Sequence, residues 1–193
     1  MKIPGTKTGR PRRYDLQPLT GFRNSEIGLA AAFMGELAER VFDQIEDLPQ
    51  EAMDFTAPKT GLSIGKLVVH LAWAECQWIR RVTGEETPAE LSTLLQAGKL
   101  ETIYEPLPTS RSALELITLC RRVQREVTLP SLSPLEDPHA EISIQRGQLP
   151  KTVIGVLMHL LWHWTYHSAH IGLIRLQWGS DYVWTQEKDP EAS

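Results

Sequence analysis

At 193 residues, with 41% hydrophobic and 23% charged side chains, the chain is long enough for one domain with a sizeable core and has the composition of an ordinary soluble fold. No apolar run reaches the roughly 18 uncharged residues that span a bilayer. No apolar segment follows the basic N-terminus either, so a secretory signal is not expected and a cytoplasmic protein is. The net charge of −4 conceals an asymmetry: residues 1–24 carry Lys2, Lys7, Arg10, Arg12, Arg13 and Arg23 against Asp15 alone, leaving 14 basic and 23 acidic residues for the rest. The acidic body argues against a nucleic-acid-binding protein, and residues 1–24 read as a solvated, flexible extension.

Helical periodicity dominates the chain. The first helix is expected over residues 25–47, with Ser25 as its cap and Ile27, Ala31, Met34, Leu37, Ala38, Val41 and Ile45 as its apolar stripe. Residues 48–61, punctuated by Pro49, Pro58 and Gly61, read as a loop. The second helix starts at its cap, Ser63, and stops near Thr83 with Gly84 beyond; Ile64, Leu67, Val68, Leu71, Ala74 and Trp78 face inward. Thr87 to Glu90 spell a capping box with Pro88 at the first helical position, predicting a short helix to about Gln96, ended by Gly98. A third long helix is expected from Thr109 or Ser110 to about Val127, with Leu114, Leu116, Ile117, Cys120 and Val123 on its apolar face. Pro130, Pro134 and Pro138 make 129–139 a loop, and residues 140–145 alternate weakly as one short strand candidate. The last helix runs over about 151–178, stopped by Gly179. These elements predict an all-α four-helix bundle over residues 25–185, with a long crossover connection at 84–109, an extra short helix and a C-terminal tail at 186–193. Cys76 and Cys120 form no C-x-x-C pair and read as free thiols.

Six histidines are present, and four of them, His159, His163, His167 and His170, fall within one stretch of the last helix. A step of four residues turns about 400°, so all four lie on one stripe. His70 sits among Leu67, Leu71 and Ala74 and therefore points toward the core. A buried imidazole is costly unless its nitrogens find partners. Two histidines at i, i+4 can bind one ion from a single helix face, and a third from a facing helix completes a three-nitrogen site that leaves positions open for water or substrate. Spacing alone does not choose the pair: His159 with His163 and His163 with His167 are both i, i+4, and His167 with His170 is i, i+3. Trp164, Thr165 and Tyr166 stand where a protease-type H-E-x-x-H would place its glutamate, so that chemistry is not expected. The six tryptophans cluster in or near these two helices, as core and interface fillers or as an aromatic wall. Arg175, two turns beyond His167, reads as a solvated or paired arginine, with a holder of an anionic substrate group as the alternative.

The sequence resembles the DinB/YfiT-like metalloenzymes. SIGKLVVHLAWAECQW at 63–78 is similar to their second-helix motif, HWTYHSAHIGLIRLQWG at 163–179 to their C-terminal motif, and DYVW at 181–184 to their ending. The resemblance implies His70, His163 and His167 as ligands of a divalent metal ion, Zn or Ni, with roles for His159 and His170 left open. It also implies a four-helix bundle, homodimerisation, and a small-molecule substrate handled with a low-molecular-weight thiol in a transferase, isomerase or hydrolase type of reaction. A non-catalytic, stress-related binding protein with a structural or regulatory metal is the alternative.

Overall fold

The computed structural model describes residues 5–58, 60–101, 103–105, 109–142 and 151–187. In chain order the elements are β1 (Lys7–Thr8), α1 (Ser25–Ile45), α2 (Gln50–Asp54), α3 (Ile64–Thr83), α4 (Ala89–Leu95), a 3-10 turn at Gln96–Gly98, α5 (Ala113–Val123), a π turn at Gln124–Thr128, α6 (Leu129–Leu132), α7 (Val153–Trp178) and β2 (Tyr182–Val183). α1 packs on α7, α7 on α3, α3 on α5, and α5 closes the ring on α1. The result is the expected all-α four-helix bundle, with the core formed where the four apolar stripes meet. Ile27, Met34, Val41, Leu67, Leu71, Leu116, Val123, Leu160 and Ile171 are all buried there. No helix among the described residues is long and apolar enough to cross a membrane.

The helix ends follow from local chemistry. Asn24, not Ser25, caps α1: its Oδ1 accepts from the backbone N–H of Glu26 and Ile27 at 2.9 and 3.1 Å. Ser63 caps α3 and Thr152 caps α7, while Gly84 and Gly179 end those helices at φ values of +74° and +101° that a side chain would strain. The 48–61 segment is not all loop, because Ala52 and Met53 bury their side chains in α2. Five residues are too few for a periodic signal. The Thr87 capping box does not form. Its hydroxyl turns toward Cys76 Sγ at 3.6 Å and Gln77 Nε2 at 3.4 Å, and α4 begins one residue after Pro88.

The third long helix starts later than expected, at a capping box of Ser112 and Glu115. It also continues past Val127. Leu129 N–H bonds to Gln124 C=O across the π turn, so the ladder widens just ahead of Pro130, whose missing N–H then falls in the first turn of α6. Leu114, placed on the apolar face by periodicity, is 72% exposed. Of the 140–145 strand candidate, only an isolated antiparallel bridge, Glu141 to Thr152, is seen; residues 143–145 lie outside the described residues.

The described part of the basic N-terminal segment is held against the bundle. β1 pairs in parallel with β2, Lys7 opposite Tyr182 and Thr8 opposite Val183. Asp43, fully buried on α1, accepts from Arg10 N at 2.7 Å and Tyr182 Oη at 2.6 Å, and pairs with Lys7 at 3.1 Å. Burial pushes this carboxyl up, but the Tyr182, Arg10 and Lys7 contacts outweigh it and hold its pKa at about 2. Arg10 also pairs with Glu46, Arg12 with Glu36, and Arg13 with Glu187. The charges that read as solvated in sequence therefore meet acids of the same chain.

Candidate metal centre

α3 and α7 run side by side, and their facing stripes place His70 opposite His163 and His167. The ring of His70 lies 4.9 Å from that of His163 and 5.1 Å from that of His167, and the latter two are 4.5 Å apart, centre to centre. One nitrogen from each ring falls within 4.8 Å of the others, so the three could hold a metal ion. His70 and His167 are buried and His163 is half-buried. His70 Nε2 and His163 Nε2 stand 3.1 Å apart, the spacing of two nitrogens each about 2.0–2.1 Å from a common ion.

The protonation pattern fits a cation as well. His70 Nδ1 donates to the Gly98 carbonyl at 2.7 Å, so its Nε2 presents a lone pair to the centre. His163 Nδ1 is buried with no hydrogen-bond partner. Burial holds all three imidazoles neutral. His163 is depressed to about 3 by burial and the neighbouring histidines, His167 to about 4 by burial, His70 and His170, and His70 is lowered by burial despite its bond to Gly98. Neutral imidazoles that each bring one nitrogen to a common point suit the ligands a divalent cation requires.

The remaining histidines of the stripe lie around this group. His159 stacks 5.9 Å from His163 and leans on Trp78 at 4.7 Å, and is not one of the three convergent rings. His170 Nδ1 approaches His167 Nδ1 at 3.4 Å, and its ring meets Tyr166 at 4.4 Å. His170 and Tyr166 also line a cavity of about 330 Å3, closed by Ala57, Leu62, Tyr104, Leu173 and Ile174 with Thr60 and Gln177 as polar groups. A larger apolar groove of about 540 Å3 lies on the far side of Tyr166, between α1 and α7, with Phe33, Leu37 and Trp162 in its walls.

The tryptophans divide between the two roles read from the sequence. Trp164 fills the core against Phe42, and Trp73 lies nearly parallel to the His70 ring at 5.7 Å. Trp162 is 79% exposed. Arg175 is not available to an anionic ligand: it is fully buried, donates two 2.7 Å bonds to Asp47 and one of 2.9 Å to Ser180, and reaches the Gln44 carbonyl. Cys76 and Cys120 are buried and unpaired, and desolvation raises both thiols.

Sequence reasoning missed Glu75, which is fully buried and accepts from Thr128 Oγ1 at 2.6 Å and Trp164 Nε1 at 2.9 Å. Its position four residues after Leu71 and seven after Val68 is an inward one, and a carboxylate on an inward stripe was the available signal. The sequence also gave no sign that Gly98, read only as a helix stop, would touch His70.

A helical bundle with three convergent imidazoles able to hold a metal ion is the class this fold and site define, that of the DinB-like proteins. The model of the mycothiol-S-transferase family matches residues 30–178, and the chain belongs to that family. The matched span includes His70, His163 and His167. No curated protein matches the sequence. The family points to a thiol-related transferase.

Proposed function

We propose that the protein is a metal-dependent S-transferase in which His70, His163 and His167 hold one divalent cation, Zn or Ni, and which joins a low-molecular-weight thiol to an electrophilic small molecule. The observation that carries this reading is the meeting of three neutral imidazoles from α3 and α7 in a chain of an S-transferase family. A divalent cation there would lower the pKa of a bound thiol, so that thiolate forms near neutral pH. Overall, the thiol loses its S–H proton to solvent, sulfur forms a bond to carbon, and the leaving group departs with its electron pair. The chain's own residues orient and line the site: Trp73 covers one face of His70, and Tyr166 and His170, both in ring contact with His167, line the 330 Å3 cavity beside it. That cavity has no charged side chain among its described lining residues, which suits an uncharged electrophile.

The test is elemental analysis of the purified protein followed by thiol-consumption assays with a model electrophile, before and after chelation. One equivalent of metal and thiol transfer that chelation abolishes support the reading. Transfer that is indifferent to chelation overturns it.

A homodimer belongs to the same proposal. Met158, Trp162, Tyr166, Leu173 and Leu176 leave a stripe of large apolar side chains exposed along α7, the kind of surface a partner covers. Sedimentation at micromolar concentration, with Trp162→Glu as the disrupting variant, checks it.

A further inference from the structure

We infer that Gly98 is a positioning residue of the triad: its carbonyl fixes His70 with the ring proton on Nδ1 and the Nε2 lone pair aimed at His163 and His167, and only glycine lets that carbonyl come close enough. The inference deepens the metal reading above and rests on it for its purpose, though not for its geometry.

A carbonyl oxygen can only accept, so the 2.7 Å contact from His70 Nδ1 to Gly98 O requires the proton on Nδ1. The ring is then presented through Nε2, the nitrogen that lies 3.1 Å from His163 Nε2. The other two rings have no comparable anchor among the described residues. His163 Nδ1 has no partner, and the neighbour of His167 Nδ1 is another side chain, at 3.4 Å. His70 is therefore the ring whose orientation is set by backbone.

The 3-10 turn that carries Gly98 lies directly on α3. A Cβ at position 98 would stand 2.5 Å from the Val69 carbonyl oxygen, 2.8 Å from its carbon and 2.9 Å from Trp73 Cβ. Two of those three atoms are helix backbone and cannot swing aside. Any side chain at 98 must push the turn off α3 and pull the carbonyl away from His70. The same contact seats Trp73, whose indole covers a face of the His70 ring at an interplanar angle of 24°. Edge and face of one imidazole are thus both set by the approach of Gly98. Partners of this kind orient metal-binding histidines, and their loss typically lowers metal affinity roughly 10–100-fold.

The experiment uses the full chain, metal-free, with 15N-labelled histidine, and identifies the His70 signals by their absence in His70→Gln. The wild type should show a single His70 tautomer protonated at Nδ1. In Gly98→Ala that signature should be lost, and zinc affinity, measured by chelator competition, should fall roughly 10–100-fold. Gly84→Ala is the control. It strains the αL end of α3 at φ +74° without touching His70, and should lose thermal stability while keeping both the tautomer and the zinc affinity. A wild-type His70 protonated at Nε2, or mixed, overturns the inference even if Gly98→Ala does not fold. So does a folded Gly98→Ala with zinc affinity within about twofold of wild type. A wild type with the Nδ1 tautomer that binds no zinc would instead sink the proposed function and leave the role of Gly98 in orienting the ring intact.

Discussion

Trp164 donates a 2.9 Å hydrogen bond to Glu75 inside the core, so the α7 residue next to His163 is tied to α3 from the apolar side of the helix pair. Thr128 of the π turn closes the same carboxyl at 2.6 Å. One buried acid thereby joins three of the four long helical segments close to the point where the histidines meet.

Burial raises the Glu75 carboxyl to about 7, with the Thr128 and Trp164 bonds pulling the other way. A glutamate carboxyl ordinarily titrates near 4.5, so between these pH values the folded state binds more protons than the unfolded one and stability falls as pH rises. Glu75→Gln removes the charge and keeps an acceptor for Trp164. Relative to wild type, the variant should gain on the order of 2–3 kcal/mol between pH 5 and pH 8. Urea unfolding at the two pH values measures this; a pH-independent difference would contradict it.

The histidines act in the opposite direction. With His163 depressed to about 3 and His167 to about 4, the unfolded chain binds more protons than the folded one below about 6.5, so stability rises with pH up to that point. The metal-free protein should lose stability progressively as pH falls from about 6.5 toward 4. His163→Ala should flatten this dependence. Denaturation midpoints across that range decide the matter, and parallel curves for variant and wild type would count against it.

His163→Ala should also abolish stoichiometric metal uptake while leaving the helical circular dichroism unchanged, because His163 is only half-buried and points to the centre and not into the core. Elemental analysis beside the far-ultraviolet spectrum tests both halves. Full metal occupancy in the variant would remove His163 from the ligand set.

Asp47→Ala should cost roughly 2–4 kcal/mol, since it leaves the fully buried Arg175 with an uncompensated charge. Arg175→Met, which removes the charge along with the partner, should cost less. Unfolding in urea ranks the two, and the reverse order would show that the pair is held by packing and not by charge.

Much of this architecture is legible in the sequence because the helices are amphipathic and punctuated. Ser63, Gly84 and Gly179 bound α3 and α7 as their chemistry predicts, and the stripe through His163 and His167 follows from helical geometry alone. What stayed hidden depends on contacts between distant segments. Thr87 has the sequence of a cap but spends its hydroxyl on Cys76 and Gln77. Pro130 looks like a terminator, yet a π turn carries the helix beyond it. Leu114 has the spacing of a core residue and faces out. Gly98 reads as punctuation, and its 2.7 Å reach to His70 depends on how closely two segments approach, which no local pattern encodes.

The terminal strands bear on how the molecule can be shortened. The family match spans 30–178, whereas Lys7, Arg10 and Tyr182, the groups that compensate Asp43, all lie outside it. A fragment trimmed to the shared region would lose the three groups that hold Asp43 ionised. The two terminal strands thus act as one clasp, pairing with each other and together compensating Asp43, so removing either one takes away part of what holds the other.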